Sequence, residues 1–123
     1  MGKFITRDSG KREEYASGMR RDLQEGKPNF WLITAEDMPY SEQLLTRWAE
    51  LMARGAEKYG LRNWERANSE VELERFKSSA LRHLQQALLG EKDEDHYAAV
   101  CFNINAIVYL EWKIQKERNG VST

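Results

Sequence analysis

Residues 81–96 bring together the residue types best suited to binding a metal ion. They include both histidines of the chain, His83 and His96, and four carboxylates within positions 91–95. Gly90 separates the end of one apolar helical pattern from the start of the next, so these groups should meet where two helices join. Carboxylate oxygens favour Mg²⁺ or Mn²⁺, and an imidazole among the ligands favours Mn²⁺ or another transition metal. We expect a metal site here; the alternative is a solvated acidic helix N-terminus beside two packing histidines.

Three long helical patterns have to position this junction. The first begins near Pro39 and Ser41 and ends at Gly60. The second begins with a capping box, in which Ser69 and Glu72 bind each other's backbone amides, and runs to about Leu89. The third begins near Asp93 and is apolar nearly all round, which indicates burial on more than one side. The patterns predict an all-α bundle of three to four main helices that is completed by oligomerisation.

The chain should form a single domain, residues 1–123, with an extended arm over 1–30, a helical core over 31–117 and a frayed tail over 118–123. No convincing strand is predicted, and a short helix around residues 13–24 is possible because Tyr15, Met19 and Leu23 form a thin apolar stripe. After Gly26 and Pro28, an extended apolar run follows over residues 30–33. The arm either docks its aromatic side chains on the helices or presents Lys27 to an anion.

Composition excludes several classes of function. A net charge of −1 leaves no electrostatic footprint for a nucleic acid or an anionic membrane. There is no long apolar run and no signal-peptide pattern, so we expect a soluble, cytoplasmic protein. P-loop, dinucleotide-binding and serine-hydrolase motifs are missing, and one cysteine cannot build a zinc site with several thiolates. Cys101 lies in an apolar helical pattern and should be an inert buried thiol.

The stretch that follows the first helix could bind a nucleotide. Trp64 stands beside Arg62 and Asn63, and Lys58 and Tyr59 precede them closely. An aromatic face with cationic and amide donors can stack on a base and hold phosphates or sugar hydroxyls. The alternative is that Trp64 packs on the core as a lid.

Three motifs, in this order, resemble the phage dATP/dGTP diphosphohydrolase family over about residues 9–117. They are Gly26-Lys27-Pro28-Asn29-Phe30, then Gly55-Ala56-Glu57-Lys58-Tyr59-Gly60-Leu61-Arg62-Asn63-Trp64-Glu65, then Ala80-Leu81-Arg82-His83-Leu84 followed by Gly90-Glu91, Asp95-His96 and Asn103. That family is similar to the all-α MazG-type nucleotide pyrophosphatases and includes MazZ-like enzymes. The resemblance implies hydrolysis of a purine deoxynucleoside triphosphate, dGTP or dATP, to the monophosphate and pyrophosphate with Mg²⁺ or Mn²⁺.

The chain departs from the metal-binding motifs of MazG-type enzymes. Those enzymes usually carry Glu-x-x-Glu on one helix and Glu-x-x-Asp on the next. Here residues 80–83 supply only His83 and residues 96–99 supply only His96. The metal shell must therefore be built from other groups.

With the resemblance in view, we assign the site residues as follows. The expected metal ligands are His83, Glu91, Asp95 and His96, with Glu50, Glu57 and Asp93 ranked lower. Glu91, Asp95 and His96 are the expected catalytic residues. The expected substrate-binding residues are Lys27, Lys58, Tyr59, Arg62, Asn63, Trp64, Arg82 and Asn103.

The protein should assemble as a homo-oligomer, a dimer or a tetramer, through the last helix.

Two other functions are alternatives to this hydrolase. The runner-up function is a non-catalytic helical binding or assembly protein, in which the acidic turn is a cap and the histidines only pack. An HD-type phosphohydrolase is disfavoured because Asp95-His96 stands in the reverse order.

Overall fold

A computed structural model describes residue 6 and residues 8–120 of the chain. Residues 1–5 and 7 of the predicted arm and residues 121–123 of the predicted tail lie outside the described residues. The chain divides into two compact units, Met1–Ile33 and Thr34–Thr123. Each unit has its own secondary structure.

The first unit contains a small antiparallel hairpin where a short helix was predicted. Strand β1 (Arg12–Glu14) pairs with strand β2 (Arg20–Asp22). The prediction of a helix over residues 13–24, and of no strand, was wrong. The register places opposite charges across from each other at all three pairs: Arg12 and Asp22, Glu13 and Arg21, Glu14 and Arg20. The apolar run Phe30–Ile33, predicted as extended, is a 3₁₀ helix.

The second unit is a bundle of helices, and local sequence signals set most of its helix ends. Helix α1 spans Leu44–Tyr59, after a 3₁₀ turn over Tyr40–Glu42. It ends at Gly60, whose φ of 92° lies in the region that favours glycine. Helix α2 spans Glu70–Leu88. Helix α3 spans His96–Arg118 and so begins three residues later than the predicted start at Asp93.

The predicted capping box at the start of α2 is confirmed. The hydroxyl oxygen of Ser69 accepts a hydrogen bond from the amide of Glu72 at 3.2 Å. In return, Oε1 of Glu72 accepts from the Ser69 hydroxyl at 2.7 Å and from the amide of Asn68 at 3.0 Å. The Glu72 carboxylate therefore binds the amide of Asn68, one residue before the amide that it binds in the usual capping box.

Helix α3 is the central element, because both α1 and α2 pack against it. Many of the buried side chains of α2 and α3 are small: Ala80, Ala87, Ala98, Ala99 and Ala106. Small side chains at a helix contact allow the two helices to approach closely. A larger apolar cluster, Leu73 and Leu110 with Phe76, Ile107 and Ile114 around them, completes the core beside Ala67. The all-α bundle predicted from the helical patterns is confirmed.

Two further features of the helices bear on the sequence predictions. In the part of the chain that the structure describes, no helix is both long and apolar enough to cross a membrane. Cys101 is half-buried on α3, and this burial raises the pKa of its thiol. The protonated form is the unreactive one, in keeping with the expected inert role.

An ion pair ties α1 to the start of α3. The guanidinium of Arg47 donates two hydrogen bonds to the two carboxylate oxygens of Asp95, each 2.7 Å long. Asp95 is also the N-cap of α3, since its Oδ1 accepts from the amide of Ala98 at 3.1 Å. The bidentate bond from Arg47 holds the pKa of the Asp95 carboxyl below its ordinary value.

We expect Asp95→Asn to lower the free energy of unfolding by about 1–3 kcal/mol at neutral pH, because the asparagine keeps the cap and loses the charged pair. The pKa of Asp95 is lower in the folded chain than the unfolded value of about 3.9. The stabilisation should therefore be complete above about pH 5 and disappear as the pH falls below about 4. Urea unfolding across this range measures the difference.

Asp37→Asn is the matched control, since Asp37 is an exposed carboxylate that takes no part in the Arg47–Asp95 pair. It should leave the free energy of unfolding within about 0.5 kcal/mol of the unmodified protein. Equal stability of the Asp95→Asn variant and the control would contradict a structural role for the Arg47–Asp95 pair.

Candidate functional site

A cleft of about 600 Å³ opens between the C-terminal half of α1, the loop after it, and the facing sides of α2 and α3. Its volume lies within the range of small-molecule sites. One set of lining residues is cationic: Arg54, Lys58 and Arg62. Another is acidic: Asp93, Glu94 and Asp95. Such a lining suits a ligand that carries several negative charges and is bound together with a cation.

Helix α1 and the turn after it supply the cationic residues. Arg54 and Lys58 are four residues apart and so share a face of α1. Arg62 follows Gly60 and has φ 56° and ψ 30°, a left-handed conformation that is uncommon for a residue with a side chain. Its guanidinium donates to Glu65 at 3.2 Å. Sequence analysis predicted Lys58 and Arg62 but missed Arg54, which its spacing from Lys58 could have revealed.

The loop that carries Trp64 is anchored on α3. The indole ring of Trp64 makes edge-on contacts with Tyr109 at a centroid distance of 5.5 Å and with Phe102 at 6.5 Å. The ammonium of Lys113 donates to the backbone carbonyls of Glu65 and Ala67, both at 3.0 Å. Trp64 is half-buried and lines the cleft, so it combines packing on the core with access to a ligand. Lys113 was missed by the sequence analysis.

The two histidines meet where α2 joins α3. Nδ1 of His83 lies 2.8 Å from Nδ1 of His96, and both residues are buried. Nε2 of His96 lies 2.8 Å from Oδ1 of Asp93, and Nε2 of His83 lies 3.4 Å from the guanidinium of Arg82. All four ring nitrogens therefore have a polar partner. Burial, followed by the charge of Arg82, lowers the pKa of His83.

Glu91, Asp93 and His96 form the candidate metal group. In the described part of the chain, one ligand atom from each of them lies within 4.8 Å of the other two. Two carboxylates and one imidazole fit a hard or borderline divalent cation such as Mg²⁺ or Mn²⁺. Glu91 also accepts a hydrogen bond from Gln86 at 3.1 Å. The structure thus brings together the acidic and histidine side chains of a candidate cation site.

The other predicted ligands are not part of this metal group. His83 is engaged by His96 and Arg82, and Asp95 by Arg47 and the α3 backbone. Glu50 and Glu57 are exposed on α1. The structure thus brings Asp93, which was ranked lower, together with Glu91 and His96. Ligation by the remaining four stays a prediction.

The predicted substrate-binding residues fall into three places. Those that line the cleft are Lys58, Tyr59, Arg62, Asn63, Trp64 and Asn103. Arg82 lies beside the histidines and also donates to Gln86. Lys27 belongs to the first unit, where its ammonium bonds to Asp22 at 2.9 Å. Sequence analysis also missed Ser79 as a lining residue and assigned no role in substrate binding to Glu94.

Comparison with known proteins gives a family match over most of the chain. The family described as dATP/dGTP diphosphohydrolase, N-terminal, matches residues 17–119. No curated protein and no solved structure gives a match. The matched residues include the cleft, both histidines and the candidate metal group. The family's description indicates a hydrolase of deoxynucleotides. The chain belongs to the dATP/dGTP diphosphohydrolase N-terminal family.

Proposed function

We propose that the protein is a metal-dependent nucleotide pyrophosphohydrolase that converts dGTP, dATP or both to the monophosphate and pyrophosphate. The observation that carries this proposal is one cleft lined by three cationic and three acidic residues, with the candidate metal group beside it. Family membership supports the deoxynucleotide substrate. The resemblance to phage enzymes supports a role in remodelling the nucleotide pool in the cytoplasm of an infected cell.

Arg54, Lys58 and Arg62 are the proposed partners of the triphosphate. Guanidinium and ammonium groups bind phosphate oxygens through charge-assisted hydrogen bonds. Their positions on one helix face and the turn after it suit a chain of phosphates. Trp64 and Tyr59 offer aromatic surface to a purine, and Asn63 and Asn103 offer amide groups to the base or sugar.

Glu91, Asp93 and His96 are the proposed holders of a divalent cation. When bound, such an ion supplies Lewis acidity and neutralises charge on the phosphates. In the net reaction a water oxygen forms a bond to the α-phosphorus, the bond between the α-phosphorus and the bridging oxygen breaks, and pyrophosphate leaves. Asp93 and Asp95 are already engaged by His96 and Arg47. Glu94 is therefore our candidate for accepting the proton of the water.

We expect incubation with dGTP or dATP and Mn²⁺ or Mg²⁺ to yield the monophosphate and pyrophosphate. Ion-exchange chromatography of the products from a panel of deoxynucleoside triphosphates measures both products and the base preference. Release of single phosphates or of triphosphate would contradict the proposed bond cleavage. Absence of any product from every nucleotide would favour the non-catalytic helical binding protein.

The variant Asp93→Asn tests the metal group within the same assay. It should lower kcat/KM by about 100-fold, because it removes the negative charge of one candidate metal ligand and changes the hydrogen-bond partner of His96. Asp37→Asn, an exposed carboxylate outside the cleft, should leave kcat/KM unchanged. Full turnover in the Asp93→Asn variant would contradict the proposed site.

We also propose that α3 forms the contact between copies in a homo-oligomer. Tyr97, Ile104, Val108 and Trp112 recur at helical spacing along one stripe of α3. They are 43%, 49%, 60% and 52% exposed in a single copy. An apolar stripe of this length on a small protein is typical of a protein–protein contact.

We expect Val108→Arg to shift the protein to the monomer, because it places a charge within the apolar stripe. Analytical ultracentrifugation measures the assembly state. The matched control is Val71→Arg, since Val71 is an exposed valine of α2 that does not belong to the stripe. A monomeric unmodified protein, or an oligomer that survives Val108→Arg, would contradict the assignment of α3 to the interface.

A further inference from the structure

A continuous run of side-chain hydrogen bonds joins Arg82 to Asp93 through the two buried histidines. Nη2 of Arg82 lies 3.4 Å from Nε2 of His83, Nδ1 of His83 lies 2.8 Å from Nδ1 of His96, and Nε2 of His96 lies 2.8 Å from Oδ1 of Asp93. We call these four residues the histidine relay. His83 is 8% exposed and His96 is 2% exposed, so the ring protons are placed by these partners rather than by bulk water.

The two ends of the relay fix its direction independently. A guanidinium only donates, so Nε2 of His83 accepts from Arg82 and the ring proton of a neutral His83 sits on Nδ1. An ionised carboxylate only accepts, so Nε2 of His96 carries a proton toward Asp93 and its Nδ1 is left to accept. The central bond then runs from Nδ1–H of His83 to Nδ1 of His96. Both ends require the same tautomers.

The relay has a consequence for the candidate metal group. It directs a proton of His96, rather than a lone pair, at Asp93. Ligation of a metal through Nε2 needs a lone pair there. The ring proton of His96 must then sit on Nδ1, and Nδ1 of His83 must accept the hydrogen bond from it. The ring proton of His83 then sits on Nε2, where its N–H faces an N–H of Arg82. The reversal moves protons within the two rings without gain or loss of a proton.

We propose that Arg82 and His83 are positioning residues that hold His96 in its Nε2–H tautomer and thereby weaken the affinity of Glu91, Asp93 and His96 for a divalent cation. This inference rests on the proposed metal site for its functional part. The tautomers themselves belong to the metal-free protein and are independent of any activity. Arg82, which was expected to bind substrate, thus acquires a role through His83.

The tautomers can be read directly by long-range ¹H–¹⁵N correlation spectra of the full-length metal-free protein. The chain has two histidines, so the spectrum contains two imidazole spin systems, which His83→Gln assigns. The expected result is Nδ1–H for His83 and Nε2–H for His96. The reverse pair of tautomers, a doubly protonated ring, or exchange between tautomers in either ring would overturn the relay.

The effect on the metal group is measured by titrating Mn²⁺ into the unmodified protein and into Arg82→Met, with calorimetric detection. Loss of the donor at His83 should tighten Mn²⁺ binding by about 5-fold, the equivalent of one modest hydrogen bond. Lys92→Met is the matched control, because it removes a neighbouring positive charge that makes no contact in the relay. It should tighten binding less.

Three outcomes of the titration would count against the proposal. Unchanged or weaker binding in Arg82→Met would overturn the role of Arg82, and an equal gain in Lys92→Met would reduce that role to simple charge repulsion. Absence of Mn²⁺ binding in all three proteins would overturn the proposed metal site and the link between relay and affinity. The tautomer assignment would still be decided by the spectrum.

Discussion

The contact between His83 and His96 organises the junction on which the candidate site depends. It joins two buried rings, one from the last turns of α2 and one from the first residue of α3, across the turn that contains Gly90. A buried ring nitrogen that lost its partner would carry the full cost of desolvation, about 1–3 kcal/mol. The contact therefore ties the end of α2 to the start of α3 through a polar pair.

Helix α3 positions the site at both of its ends. Near its start, Asp95 caps the helix and binds Arg47 of α1, while the next residue, His96, meets His83 of α2. Toward its end, Lys113 and Tyr109 hold the loop that carries Trp64. The cleft lies between these two sets of contacts. One helix thus sets the distance between the acidic and aromatic parts of the lining, which is what recognition of an extended nucleotide requires.

The parts of the structure that follow from local chemistry could be predicted from the sequence. The capping box at Ser69 and Glu72 and the end of α1 at Gly60 each depend on a few neighbouring residues. The all-α bundle follows from helical periodicity. The location of a histidine and carboxylate group at residues 81–96 also follows from spacing along two helices that meet at a glycine.

The parts that depend on distant contacts could not be predicted. Arg47 meets Asp95 across 48 residues, and Lys113 meets carbonyls 46 and 48 residues away, so neither pair leaves a local signal. The hairpin was mistaken for a helix because each of its strands has only three residues. The feature that indicates the hairpin is the pairing of opposite charges across the two strands, which depends on their register. Asp93 was ranked below Asp95 because both are acidic residues near a helix start, and only the structure shows which one Arg47 engages.

We propose that Glu91, Asp93 and His96 hold the catalytic cation beside a cleft that binds a purine deoxynucleotide. A crystal structure with Mn²⁺ and a non-hydrolysable analogue of dGTP tests this proposal, since anomalous scattering locates the ion. We expect Mn²⁺ on these three side chains and triphosphate oxygens against Arg54, Lys58 and Arg62. An ion bound elsewhere, or a nucleotide outside the cleft, would contradict it.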